Sequence, residues 1–85
     1  DSLGDPIARI YPNPARDVIY VEFNGTVDVE NIFLFAADGR KASDYQAIMQ
    51  SSGFIIEIPQ TFTGLYLLRI ILKDGRVAIR KIIIR

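Results

Sequence analysis

Cysteine, histidine and tryptophan are all absent from this 85-residue chain. Without cysteine there is no disulfide scaffold and no thiolate metal site, although the compartment stays open. Without histidine there is no imidazole general base and no imidazole ligand. The serines at positions 2, 43, 51 and 52 therefore lack their usual activating partner, and Lys41-Ala42-Ser43 does not carry the signature of a serine–lysine dyad. The six glycines stand singly, so no phosphate-cradling loop is present. Asp17, Asp28 and Asp44 show none of the spacing of a calcium loop. Net charge is zero, which argues against a nucleic-acid surface. The longest apolar stretches, LYLLRIIL and VAIRKIII, are broken by arginine and fall well under the ~20 residues of a membrane-spanning helix. This inventory predicts no catalytic, metal or cofactor site, and so no enzyme.

What the chain has in quantity is β-branched and aromatic residues. Its hydrophobic fraction of 49% suffices for one packed domain without staples. The margin is thin, because a domain this small buries only about 60 to 65% of its unfolded surface. VIYVEF (18–23) alternates, with Ile19, Val21 and Phe23 on one face. VENIFLFA (29–36) is nearly continuous, as a strand buried on both faces would be. KASDYQAIM (41–49) is weaker and reads as an edge strand or a short helical turn. FIIEI (54–58) alternates, with Phe54, Ile56 and Ile58 inward, and Pro59 ends it. A short strand at 7–11 and the runs at 65–72 and 77–85 complete the set.

Asp38-Gly39 and Asp74-Gly75 mark tight hairpins, where aspartate bonds its own backbone and tolerates a left-handed conformation. In the last run Val77 and Ile79 have the opposite parity to Ile82 and Ile84. A β-bulge near Arg80-Lys81 is expected to bring those four to one side. About seven strands, with turn signals every ~8 to 15 residues, predict an all-β fold, an antiparallel β-sandwich. Its core is expected to hold Ile19, Val21, Phe23, Ile32, Leu34, Phe54, Ile56, Tyr66, Leu68 and Ile70.

The two ends carry the rest of the signal. The opening DSLGDP has no basic or apolar region of a leader and reads as a linker (1–6) from an upstream passenger, with the domain at 7–85. In IYPNP, Pro12 and Pro14 fix their own φ and bias their neighbours to extended forms, giving a stiff lead-in to the sheet. From Arg69 onward six basic residues face one acidic residue, a net +5 balanced by −5 before it. Such a segment is either a set of strands bearing solvated charge or a basic end that a partner reads.

Four pieces stand in a fixed order: YPNPARD (11–17) before a strand, FAADGR (35–40) after one, FTGLYLLRI (62–70), and DGRVAIRKIIIR (74–85). Together they resemble the type A C-terminal sorting domain of proteins exported by the type IX secretion system of Bacteroidota, over about residues 7–85. The resemblance implies an Ig-like sandwich of about seven strands at the end of a longer passenger. It implies a non-catalytic address label, recognised in the periplasm, passed through the outer-membrane translocon and removed by a surface sortase. The passenger would then be anchored at the surface or released. Pro12, Asn13 and Pro14 match the opening motif, Asp38 and Gly39 the central turn, Gly64 and Tyr66 the glycine–tyrosine motif, and Gly75 and Lys81 the closing motif. Ile82, Ile83, Ile84 and Arg85 match the tail that the machinery needs.

On physical grounds Gly64 is expected to permit a turn. Tyr66 is expected to bury its ring and bond its hydroxyl to backbone, as a corner tyrosine does. The tail is expected to leave a strand edge open to partner strands or to a copy of itself, and to matter more for export than for folding. Implied partners are the shuttle, translocon and sortase components and the passenger. The alternatives are an accessory carbohydrate- or protein-binding module, with Tyr11, Tyr20 and Tyr45 as candidate aromatics, and a strand-edge dimerisation domain.

Overall fold

The computed structural model describes residues 6–45 and 48–85. Six β-strands follow in order: β1 (Ile7–Tyr11), β2 (Val18–Ala36), β3 (Lys41–Tyr45), β4 (Ile48–Glu57), β5 (Gly64–Leu72) and β6 (Val77–Ile84). All strand pairs are antiparallel. Among the described residues there is no helix. The expected linker lies outside the described residues except Pro6, which is buried and accepts the Asn24 N–H at 2.8 Å. Residues 46 and 47 of the expected weak edge strand also lie outside them.

The organising element is β2. VIYVEF and VENIFLFA form one strand of 19 residues, which leaves six strands where about seven were expected. The polar NGT between them is an irregular step within the strand, with Gly25 at φ +85 and the pairing to β4 shifted between Glu22 and Val27, and it is held on both sides: Asn24 bonds Pro6, and Val27 pairs with Ser51 of β4. The first half of β2 lies between β1 and β4, and the second half between β3 and β5, with β6 beyond β5. The sheet therefore curls over itself as a sandwich does, and its inner face closes on one core.

A register shift between Val29 and Asn31 reverses the alternation of β2. Val27 and Val29 point inward before it, Ile32 and Leu34 after it. VENIFLFA is thus not buried on both faces. Phe33 and Phe35 sit half-buried outside, with the Lys41 ammonium 5.5 Å from the Phe33 ring. All ten expected core residues are buried except Phe54, which is half-buried and tilts its ring against Phe23 at 5.5 Å. Each large side chain fully buried stabilises the fold by roughly 1.5 to 3 kcal/mol.

The expected bulge in β6 does not form. β5 and β6 pair without interruption from Gly64↔Ile84 to Ile71↔Val77. Strict alternation turns Ala78, Ile82 and Ile84 inward and leaves Val77 and Ile79 exposed at 46% and 54%. Arg80 takes the remaining inward position and sends Nη1 to the Ile79 carbonyl at 2.9 Å. The ladder keeps all eight residue pairs, and the outward parity of Val77 and Ile79 follows from it.

Both aspartate–glycine hairpins share one geometry. In the first, Gly39 N–H donates to Ala36 O and Ala36 N–H to Arg40 O, both at 2.9 Å. In the second, Gly75 N–H donates to Leu72 O at 3.0 Å and Leu72 N–H to Arg76 O at 2.9 Å. These are three-residue loops in which only the glycine has positive φ; neither aspartate takes the left-handed form expected of it.

Candidate recognition site at one end of the sheet

Residues 12–15 lie along the outer edge of β6. The Asn13 side chain acts as a short piece of strand: Oδ1 accepts the Ile83 N–H at 3.1 Å, and Nδ2 donates to the Lys81 carbonyl at 3.3 Å. Ala15 continues the pairing in parallel with Ile84, taking Ile83 O at 2.7 Å through its N–H and receiving the Arg85 N–H at 2.9 Å. The opening motif and the tail are therefore one structural unit. The peptide bonds before Pro12 and Pro14 are both cis. Proline suits this segment because it has no N–H to leave unpaired beside the edge. The open edge expected at 81–85 is thus already covered by the chain's own residues.

Alternation divides the tail in two. Ile82 and Ile84 are core residues, 1% and 2% exposed, whereas Lys81, Ile83 and Arg85 face outward. The tail is therefore part of the core as well as of the motif, and removing it would strip the core of two isoleucines.

The glycine–tyrosine motif stands next to the tail. Gly64 pairs with Ile84 and Tyr66 with Ile82. Gly64 has φ +103 with nothing near its missing Cβ, so the backbone conformation and not space calls for glycine. Tyr66 buries its ring and stacks on Phe62, centroids 5.3 Å apart and planes at 10°. Among the described residues its hydroxyl bonds no backbone group, so the expected corner tyrosine is a stacked one instead. The Asp38–Gly39 turn belongs to the same end, since Ala36 pairs with Tyr66. Gly75 does not; it lies in the β5–β6 hairpin at the opposite end of the sheet.

In that turn Asp38 Oδ1 accepts the Arg40 N–H at 3.0 Å and Oδ2 the Arg40 Nε–H at 2.8 Å. Asp74 and Arg76 repeat both contacts at the same distances. The backbone N–H of Arg40, and then its guanidinium, hold the Asp38 carboxyl below the usual carboxylate range; Arg76 does the same to Asp74. An open depression of about 480 Å³ lies at the tail end, bordered by Pro12, Pro14, Arg16 and Arg85.

Two members of this end were not singled out by sequence reasoning. Ala15 is wholly buried and carries the bridge to β6; its signal was a small residue directly after the rigid PNP. Phe62 was visible only as an aromatic shortly before Gly64-Leu65-Tyr66. The aromatics of the binding-module alternative divide: Tyr11 and Tyr20 stack at 5.3 Å, covering each other's faces, and Tyr45 stands apart on β3. Arg9 lies over the Tyr11 ring at 4.8 Å and pairs with Glu22, whose carboxyl that bond holds low. No group of three or more acidic side chains among the described residues is placed to hold a metal ion.

The geometry defines a small antiparallel β-domain whose distinctive residues gather at one end of a curled sheet and make structural contacts there. The chain belongs to the secretion system C-terminal sorting domain family, whose model matches residues 9–85. It is accordingly a C-terminal sorting signal of type IX secretion, which implies export across the outer membrane with an upstream protein. No curated protein matches the chain.

Proposed function

We propose that the domain is read as a folded unit at the end where Pro12–Pro14, Gly64, Tyr66 and Lys81–Arg85 meet, and that a surface sortase afterwards separates it from its passenger. The observation that carries this reading is convergence: pieces separated by up to 70 residues share hydrogen bonds, as between Asn13 and Ile83. A linear address would need no such assembly. Within it Lys81, Ile83 and Arg85 are the groups offered to the shuttle and translocon, while Ile82 and Ile84 hold the strand in place.

The test is export of a periplasmic reporter fused ahead of residues 1–85 in a bacterium that owns the type IX machinery. Truncation of the tail is unsuitable, since it removes core. Outward substitutions serve better: Lys81→Ala with Ile83→Ser is expected to leave the melting curve nearly unchanged and to hold the reporter in the periplasm. Export at the level of the intact sequence would defeat the assignment of those groups. Cleavage is followed by the size of the surface product.

A further inference from the structure

The missing bulge in β6 has a second result: the outer face of β5 and β6 is apolar. Leu65, Val77, Ile79 and Ile83 are between 43% and 54% exposed: Leu65 faces Ile83 across the strands, Val77 and Ile79 follow each other along the same face of β6, and Leu67 with Lys81 lies between the two pairs. Within the same face stand Arg69, opposite Ile79, and Lys81, opposite Leu67. Both cations are exposed, and among the described residues neither has an ion-pair partner. Asp44 of β3, beyond β2, is taken by Lys41 at 3.0 Å and Asp74 of the hairpin by Arg76 at 2.8 Å, while Glu30, at the β2 shift opposite Ile71 and Leu72, is exposed.

We propose that this face docks a protein of the export machinery through an apolar patch that carries carboxylates opposite Arg69 and Lys81. The proposal rests on the sorting reading and extends its surface from Lys81 and Ile83 along the outer face of β5 and β6. Charge selects the occupant. Two copies of the domain joined through this face would bring together two cations from each side, Arg69 and Lys81, against the single exposed carboxylate that β2 sets beside β5, Glu30, and so would meet with positive charge in excess. A bilayer surface fits poorly, because interfacial elements keep cations around their apolar face and not within it, whereas Arg69 sits between Leu67 and Ile71 along β5. A protein can place its acids where the cations are.

Size sets the strength. The outer faces of β5, β6 and the second half of β2, at about 4.8 Å between strands and ~3.3 Å per residue, cover a few hundred Å². That is below the ~800 Å² per partner of a standard stable interface. Docking here is transient, as suits a cargo that must be handed on.

The experiment uses the reporter fusion with Arg69→Glu and, separately, Ile79→Ser. Neither residue is among the positions matched to the sorting motif, Pro12–Pro14, Asp38, Gly39, Gly64, Tyr66, Gly75 and Lys81–Arg85. Ile55→Ser, at a position 61% exposed on β4, is the control. Melting curves of the purified domain establish that each variant folds. The expected result is a fall in surface reporter of about tenfold or more for the first two variants, with the control exported normally. Export of the unaltered fusion and of both variants alike overturns the docking face and leaves the sorting reading standing. Failure of the unaltered fusion overturns both. A dimer on a sizing column that Ile79→Ser abolishes would assign the face to a second copy and overturn the proposal. Ile79-dependent flotation with phosphatidylglycerol vesicles would assign it to lipid and overturn it equally.

Discussion

At the scale of single residues, Asn13 and Gly53 carry the sharpest consequences. Asn13→Ala removes both side-chain bonds to β6, and exposed partners can turn to water. A loss of about 1 to 2 kcal/mol in urea unfolding is expected, with the Ile83 amide exchanging much faster by hydrogen-exchange NMR. Asn13→Asp keeps the acceptor and loses the donor, so its Ile83 amide should stay protected. Gly53 faces the opposite problem from Gly64: a Cβ there would meet the Val21 carbonyl oxygen at 2.5 Å. Gly53→Ala should cost roughly 1 to 3 kcal/mol, the range for overpacking, read as a lower urea midpoint. The importance of PNP was legible from its residue types, but its partner was not. Nothing local to Asn13 says that its amide will bond a strand 70 positions away. Gly53 ends the polar SSG (51–53), which reads as a turn, because the sequence cannot show which backbone passes beside it.

At the scale of elements, alternation was the most legible signal and parity the least. Ile19, Val21 and Phe23 could be placed by period alone, and so could Leu68 and Ile70. The bulge was placed in the wrong strand: apolar counting put it in β6, where pairing is continuous, whereas β2 has the shift at Val29/Asn31. Apolar residues on an outward face defeat a rule that assumes outward means polar. The tail tests this directly. Ile82→Ala should cost about 2 to 5 kcal/mol, while Ile83→Ala should stay within about 0.5 kcal/mol, both read from chemical denaturation. The two Asp–Arg hairpins give a pH prediction. Their carboxyls are held below the ordinary range in the fold, so their contribution is complete above the unfolded aspartate value. It is lost as the pH falls through the lowered folded values. An acid titration by NMR should move the Arg40 and Arg76 amides together, with midpoints below those of unpaired aspartates.

At the scale of the whole molecule, the all-β sandwich was legible because strand-forming runs and turn signals alternate along the entire chain. The gathering of the motif at one end was not, since it depends on β2 serving both halves of the sheet and on residues 12–15 crossing to β6. Gly75 shows the limit of motif reading: it matches the closing motif yet stands at the far end, where its turn holds β5 to β6. A chain with Gly75→Ala should lose stability by roughly 1 to 2 kcal/mol through its φ of +96. Its reporter export should fall only as far as the unfolded fraction rises, a correlation that paired melting and export measurements would check. The crossing at residues 12–15 also has a mechanical meaning. Ala15 and β6 run parallel, so a pull toward the passenger and a pull on the tail oppose each other along the strand axis. The four hydrogen bonds of Asn13 and Ala15 to residues 81, 83 and 85 would then be loaded together in shear, not opened one after another like a zip. The same few contacts would make the domain resist being drawn out from its two ends, so that hauling on it moves the folded label and whatever is attached to it as one body.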